Sequence, residues 1–132
     1  MNEKKILIFE DEWQTNRGPF EMANLFAFNG ALSFEVCTKS QEVSFTSWNE
    51  QYAAVFVDIT LSKNSKLDGY NIIKSIIAKQ LIDLDKVVIL TGNSKIQEKL
   101  KELQIDPTSI TIMTKPIAFN DLSDVLQKLL DN

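Results

Sequence analysis

A chain of 132 residues and 15.0 kDa, 44% hydrophobic and 24% charged, has room for one folded unit with a full hydrophobic core, so residues 1–132 read as a single domain. A net charge of −4 gives no basic footprint for nucleic acid, and no apolar run approaches the ~20 residues of a membrane span. The lack of histidine excludes His-based triads, His-ligated zinc and phosphohistidine within the chain, while a single cysteine, Cys37, excludes an internal disulfide and fits a reducing cytoplasm.

In chain order, Met1 to Lys5 runs directly into a strand over 4–10, without the apolar region of a signal peptide. Its run Ile6-Leu7-Ile8-Phe9 ends at Glu10-Asp11-Glu12. Gly18-Pro19 predicts a helix over 19–29, with proline at its first position and Gly30 at its C-terminal cap. Leu32 to Val36 alternates in polarity and predicts a strand over 32–37, followed by a helix over 40–50. Ala53 to Val57 is again continuously apolar, giving a strand over 53–58 that ends at Asp58, then a helix over 69–80. Val87 to Leu90 gives a strand over 86–91 that ends at Thr91-Gly92. A narrow stripe of Ile96, Leu100 and Leu103 marks a helix over 94–104. Ile110-Thr111-Ile112 alternates within a strand over 109–114, which leads into Lys115-Pro116. Leu122, Val125, Leu126 and Leu129 form the apolar face of a last helix over 120–130, with Asn120 as its expected cap.

Five alternations of strand and helix predict an α/β fold with a parallel sheet. Continuously apolar strands are covered on both faces, and alternating ones lie at the edges. The first, third and fourth strands are therefore central, the second and fifth peripheral. That is the flavodoxin-like, doubly wound order 2-1-3-4-5 with helices on both faces, whose switch point lies between strands 1 and 3, where Asp11 and Asp58 end up.

Three carboxylates, Glu10, Asp11 and Asp58, thus converge at one sheet edge with Thr91 and Lys115. Crowded carboxylates disfavour joint ionisation, and a hard divalent cation relieves the conflict; Mg²⁺ suits an oxygen-only site that also expects phosphate oxygens. A carboxylate can act as nucleophile and form an aspartyl phosphate. Asp58 is the candidate, because it ends a central apolar strand without an acidic neighbour. Lys115 and the Thr91 hydroxyl would then take phosphoryl oxygens beside Mg²⁺, with room left by Gly92. Cis costs only ~0.5–1 kcal/mol at an X–Pro bond, so a cis Lys115-Pro116 bond would serve to aim Lys115 into the pocket. Singly, each element reads as a turn, a cap or a solvated loop; the combination in this order is what carries weight.

These residues make the whole chain resemble the receiver domain of two-component response regulators. Glu10-Asp11 resembles the family's acidic pair, Asp58 its phosphoacceptor, Asp68-Gly69 the start of its third helix, and Thr91 and Lys115-Pro116 its hydroxyl and lysine. The resemblance implies that Asp11 and Asp58 bind Mg²⁺ directly, with the Thr60 carbonyl as third protein ligand and Glu10 acting through water. The departures are Glu for Asp at position 10, longer loops over 12–18 and 59–67, Ser62 in place of a proline, and Ile112 at the usual aromatic switch position.

The expectation is a cytoplasmic phosphoacceptor that is not a turnover enzyme. It would be phosphorylated on Asp58 by a histidine kinase or histidine phosphotransfer protein, with output through protein contacts or onward transfer. With nothing after residue 132, it is either free-standing or excised from a longer protein. A degenerate receiver that binds partners without phosphate is the alternative. A haloacid dehalogenase-like hydrolase would need an acid where Thr60 stands. Cys37, Phe20, Phe26 and Phe28 read as packing residues. Trp13 is expected in a loop close to the metal, and Trp48 near the end of the second helix, away from it.

Overall fold

A computed structural model describes residues 4–61, 63–93 and 95–131. Five strands, β1 (Lys4–Phe9), β2 (Leu32–Cys37), β3 (Ala54–Asp58), β4 (Val87–Thr91) and β5 (Thr111–Thr114), form one parallel sheet in the order β2-β1-β3-β4-β5. The helices are α1 (Trp13–Phe28), α2 (Trp48–Gln51), α3 (Gly69–Lys79), α4 (Ile96–Glu102) and α5 (Phe119–Leu130). This is the predicted flavodoxin-like architecture. Ser62, singled out in the sequence, lies outside the described residues, as does the N-terminal tripeptide. No helix among the described residues is long and apolar enough to cross a membrane.

The continuous apolar runs follow from two cores, one on each face of the sheet. Leu7, Phe9, Val55, Val57, Val87 and Ile89 join one with Ile72, Ile73 and Ile76 of α3 and Leu100 of α4. Their strand neighbours Ile6, Ile8, Ala54, Phe56, Val88 and Leu90 join the other with Phe20 and Ala23 of α1 and Leu122, Leu126 and Leu129 of α5. Successive side chains of a strand point to opposite faces, so a strand buried on both must be apolar at every position.

The first helix begins six residues earlier than its proline suggests. It opens at Trp13, directly after the acidic stretch, and Pro19 lies inside it. Glu12 therefore ends the loop, and 13–18 is helix. The missing Pro19 N–H removes one ladder bond, a loss offset by packing of Phe20 and Ala23, both fully buried. At its other end the cap is Asn29 (φ 54°), with Gly30 (φ 77°) also left-handed.

The expected helix over 40–50 is mostly absent. A single 3₁₀ turn, Ser40–Glu42, leads through extended chain to the four-residue α2. The stretch Val43-Ser44-Phe45-Thr46-Ser47 is β-branched, aromatic or hydroxylated, residues that favour extended or turn backbone. Ser47 is left-handed at φ 50°, which breaks any continuous helix. Trp48 is consequently the first residue of α2, fully buried, with its indole N–H on the Ser44 carbonyl at 2.7 Å. The last helix is capped by Ala118, not Asn120, which lies within it.

Candidate functional site

The strand register steps the polar residues across one edge. Phe9 pairs with Val57, so Glu10 and Asp58, the next residues, are neighbours. Asp58 pairs with Leu90, and Thr91 with Thr114, so Thr91 and Lys115 follow in turn. Backbone bonds extend the ladder past the strands: the Lys115 N–H donates to the Thr91 carbonyl at 2.8 Å, and the Ile59 N–H to that of Leu90 at 3.0 Å. The Lys115-Pro116 bond is cis.

Glu10 is 0% exposed, and Asp58 and Thr91 are each 1% exposed. Burying two carboxylates without a cation would be strongly unfavourable. The Lys115 ammonium answers both, donating to Glu10 Oε1 at 2.8 Å and to Asp58 Oδ2 at 3.0 Å. Asp58 Oδ1 accepts from the Thr60 N–H at 3.0 Å and the Thr60 hydroxyl at 3.1 Å. Thr60 thus meets Asp58 through its amide and hydroxyl, bonds that do not engage the carbonyl that the resemblance implies as a metal ligand. The Thr91 hydroxyl oxygen accepts from the Asn93 N–H at 2.9 Å, which fixes its orientation.

Electrostatics separate the two buried acids. Burial first, then the neighbouring Asp58 carboxylate, push Glu10 up to about 7 against the pull of Lys115. Burial also works to raise Asp58, but the Glu10 carboxyl, the Thr60 amide and Lys115 outweigh it and leave Asp58 below its ordinary range. The two environments thus push the acids apart, Glu10 toward its protonated form and Asp58 toward its ionised one. Lys115 loses charge stabilisation through burial, yet the two carboxylates more than restore it and hold its ammonium above the usual lysine range.

Glu10, Asp11 and Asp58 each offer a carboxylate oxygen, and these lie within 4.8 Å of one another. Asp11 Oδ1 is buried with no hydrogen-bond partner among the described residues. A buried, unpartnered carboxyl oxygen beside two more acids makes an all-oxygen donor set, and it fits a hard divalent cation such as Mg²⁺.

Gly69 explains the Asp-Gly pair that opens α3. The Asp68 carboxylate caps the helix by accepting from the Asn71 N–H at 2.8 Å. At position 69 the helix touches the strand end itself: a Cβ there would lie 2.5 Å from the Asp58 carbonyl oxygen. Only glycine lets α3 sit this close.

Two residues join the site that the sequence did not single out. Asn16 donates to Glu10 Oε1 at 3.0 Å, and the Asn93 N–H holds Thr91. Asn16 became visible only once α1 was seen to start at Trp13. Trp13 moves the other way. Its ring packs against Phe20 at 5.3 Å and Phe34 at 6.0 Å, within the apolar cluster under α1. Phe26, expected to pack, is instead 67% exposed, its ring 6.2 Å from that of Phe119. Ile112 is partly buried against the α3 and α4 core. Cys37 is buried, and burial, followed by Glu35 and Glu42, raises its thiol to about 11, so it stays protonated and inert.

No family model matches the chain, and no curated protein matches it in sequence. Solved structures do match in fold. One is the receiver domain of a sensor histidine kinase from Pseudomonas aeruginosa, described with a magnesium ion coordinated in its active-site cleft. It is 19% identical with a TM-score of 0.68, covering 98% of each chain. A response regulator receiver domain from Francisella is 17% identical with a TM-score of 0.68, covering 97% of each chain. A response regulator receiver domain protein from Methanospirillum hungatei is 19% identical at TM-score 0.68, covering 97% of this chain and 94% of that one. At these identities the likeness is one of architecture: the chain has the fold of a response regulator receiver domain.

Proposed function

We propose that this chain is a cytoplasmic response regulator receiver that accepts a phosphoryl group on Asp58 from a phosphohistidine donor, a histidine kinase or a histidine phosphotransfer protein. The observation that carries the reading is the setting of Asp58: a carboxyl 1% exposed and held at both oxygens by Lys115 and Thr60. A carboxylate fixed in this way is already placed before the donor arrives, which is where positioning contributes most to phosphoryl transfer.

In the transfer, an Asp58 oxygen forms the new P–O bond as the donor's P–N bond breaks. The electron pair returns to the imidazole nitrogen, which takes up a proton. Lys115, already beside Asp58 Oδ2, shifts its ammonium to a phosphoryl oxygen, and the Thr91 hydroxyl takes another. Asp11 and Asp58, with the Thr60 carbonyl, would hold Mg²⁺ directly, and Glu10 would act on it through water. When bound, Mg²⁺ neutralises charge on the transferring phosphoryl oxygens. Output passes through protein contacts.

The test is phosphorylation by a small donor. With Mg²⁺ and acetyl phosphate, mass spectrometry should find one base-labile phosphoryl group on the wild type and none on Asp58→Asn, since an amide is not a competent nucleophile. Equal uptake by the Asn variant would place the acceptor elsewhere.

A further inference from the structure

Compared with an aspartate, the extra methylene of Glu10 gives the side chain another torsion to fix. Left free, that torsion would blur the position of a buried carboxylate. Glu10 is nonetheless held at both oxygens. Oε1 accepts from Asn16 at 3.0 Å and from Lys115 at 2.8 Å, and Oε2 from the Glu12 N–H at 3.3 Å.

The donors differ in what they do. Lys115 is shared with Asp58, and on the proposed reading it leaves for the phosphoryl group. The Glu12 N–H contact is long. Asn16 remains, and its amide is itself anchored: Nδ2 also donates to the Glu12 carbonyl at 3.1 Å, in the first turn of α1. That carbonyl accepts the Asn16 backbone N–H at 3.1 Å as well, so both the side chain and the main chain of Asn16 are tied to one point beside the acidic loop. The early start of α1, at Trp13, is what brings this residue to the site.

We infer that Asn16 is a positioning residue for Glu10: by holding Oε1 it fixes the orientation of the longer acid and so sets how tightly the acidic cluster holds a divalent cation. This rests on the reading of Glu10, Asp11 and Asp58 as a Mg²⁺ site. Asn16 acts through Glu10 and touches neither cation nor phosphoryl group.

A double-mutant cycle read by calorimetric titration with Mg²⁺ tests it, because partners in one network are non-additive and independent residues are not. Asn16→Ala should fold, since alanine is the better helix former and the position lies within α1. Its Mg²⁺ affinity should fall about 10-fold, the lower end of what losing an outer-shell partner costs. In a Glu10→Asp background the shorter acid does not reach Asn16, and adding Asn16→Ala should then change affinity less than about twofold. Wild-type affinity in Asn16→Ala would overturn the assignment and leave the metal site standing. Equal losses in both backgrounds would also overturn it, assigning Asn16 to support of α1 alone. A wild type that takes up no Mg²⁺ would overturn the assignment and the metal reading together.

Discussion

A Cβ on Gly69 would stand 2.5 Å from the Asp58 carbonyl oxygen and 2.5 Å from Ile59 Cα, so the first residue of α3 is in direct contact with the backbone that carries the candidate phosphoacceptor. Backbone atoms on both sides cannot yield as a flexible side chain would. Gly69→Ala should therefore push α3 off the end of β3 and destabilise the fold by about 1–3 kcal/mol, the usual range for overpacking. Urea denaturation checks the value, and an unchanged midpoint would show that the contact is loose in solution. The same variant should take up phosphoryl groups from acetyl phosphate more slowly, because the displaced backbone carries Asp58.

The raised Glu10 has a thermal signature. Its contribution to stability is full below the ordinary glutamate value of 4.5 and is lost as pH rises through about 7. Asp58 runs the other way, its contribution being lost only as pH falls below its ordinary 3.8, outside that window. The chain has no histidine and Cys37 is held near 11, so neither of those residue types titrates in this window. Without divalent metal, the wild-type melting temperature should decline from about pH 5 to about pH 8, and Glu10→Gln should flatten the decline. Parallel profiles for the two proteins would remove Glu10 as the cause.

Ser40 ties the loop that follows Asp58 to the loop that follows β2. Its hydroxyl oxygen accepts from the Leu67 N–H at 2.9 Å, its own N–H donates to Ser65 Oγ at 2.7 Å, and the residue is 2% exposed. Gln41 adds a bond to the Asn64 carbonyl and another from the Lys66 N–H. Ser40→Ala leaves the Leu67 N–H without its acceptor in a part-buried place, a loss of about 1–3 kcal/mol. Hydrogen exchange should quicken at Leu67 and its neighbours, while α5 amides slow or quicken only with global stability. Unaltered protection at Leu67 would mean that the strap does not depend on this hydroxyl.

The two tryptophans should be separable by quenching. Trp48 is fully buried against Phe9 at 5.8 Å and Phe45 at 4.8 Å, whereas Trp13 is only partly buried at the start of α1. Acrylamide should reach Trp13 first, so Trp13→Phe should leave a weakly quenched, blue-shifted emission. Because Trp13 packs on Phe20 and Phe34, its emission should respond less to Mg²⁺ than a loop residue facing the acids would. Equal quenching of Trp13→Phe and Trp48→Phe would contradict this placement.

Along the chain, alternating and continuous apolar runs differ because one face or both faces of a strand are covered, and that local property carried the sheet order. β2 and β5 lie at the edges as their alternation demands, and Glu10, Asp58, Thr91 and Lys115 gather because each ends or follows a parallel strand. Helix limits were less legible. Pro19 marks a helix start only where nothing compensates for its missing N–H, and here burial of Phe20 and Ala23 does so. The stretch from Val43 to Ser47 follows core packing and a left-handed Ser47, neither of which periodicity records. The sequence brought the site residues to one edge but did not show which atom meets which. Lys115 and Glu10 are 105 residues apart in sequence, and their 2.8 Å contact arises because β1 and β3 are adjacent and the β4–β5 edge brings the lysine across. Asn16 reaches Glu10 and Trp13 turns to Phe34 for the same reason: side-chain direction is set by what packs on the far side, and one-dimensional spacing carries no record of that surface.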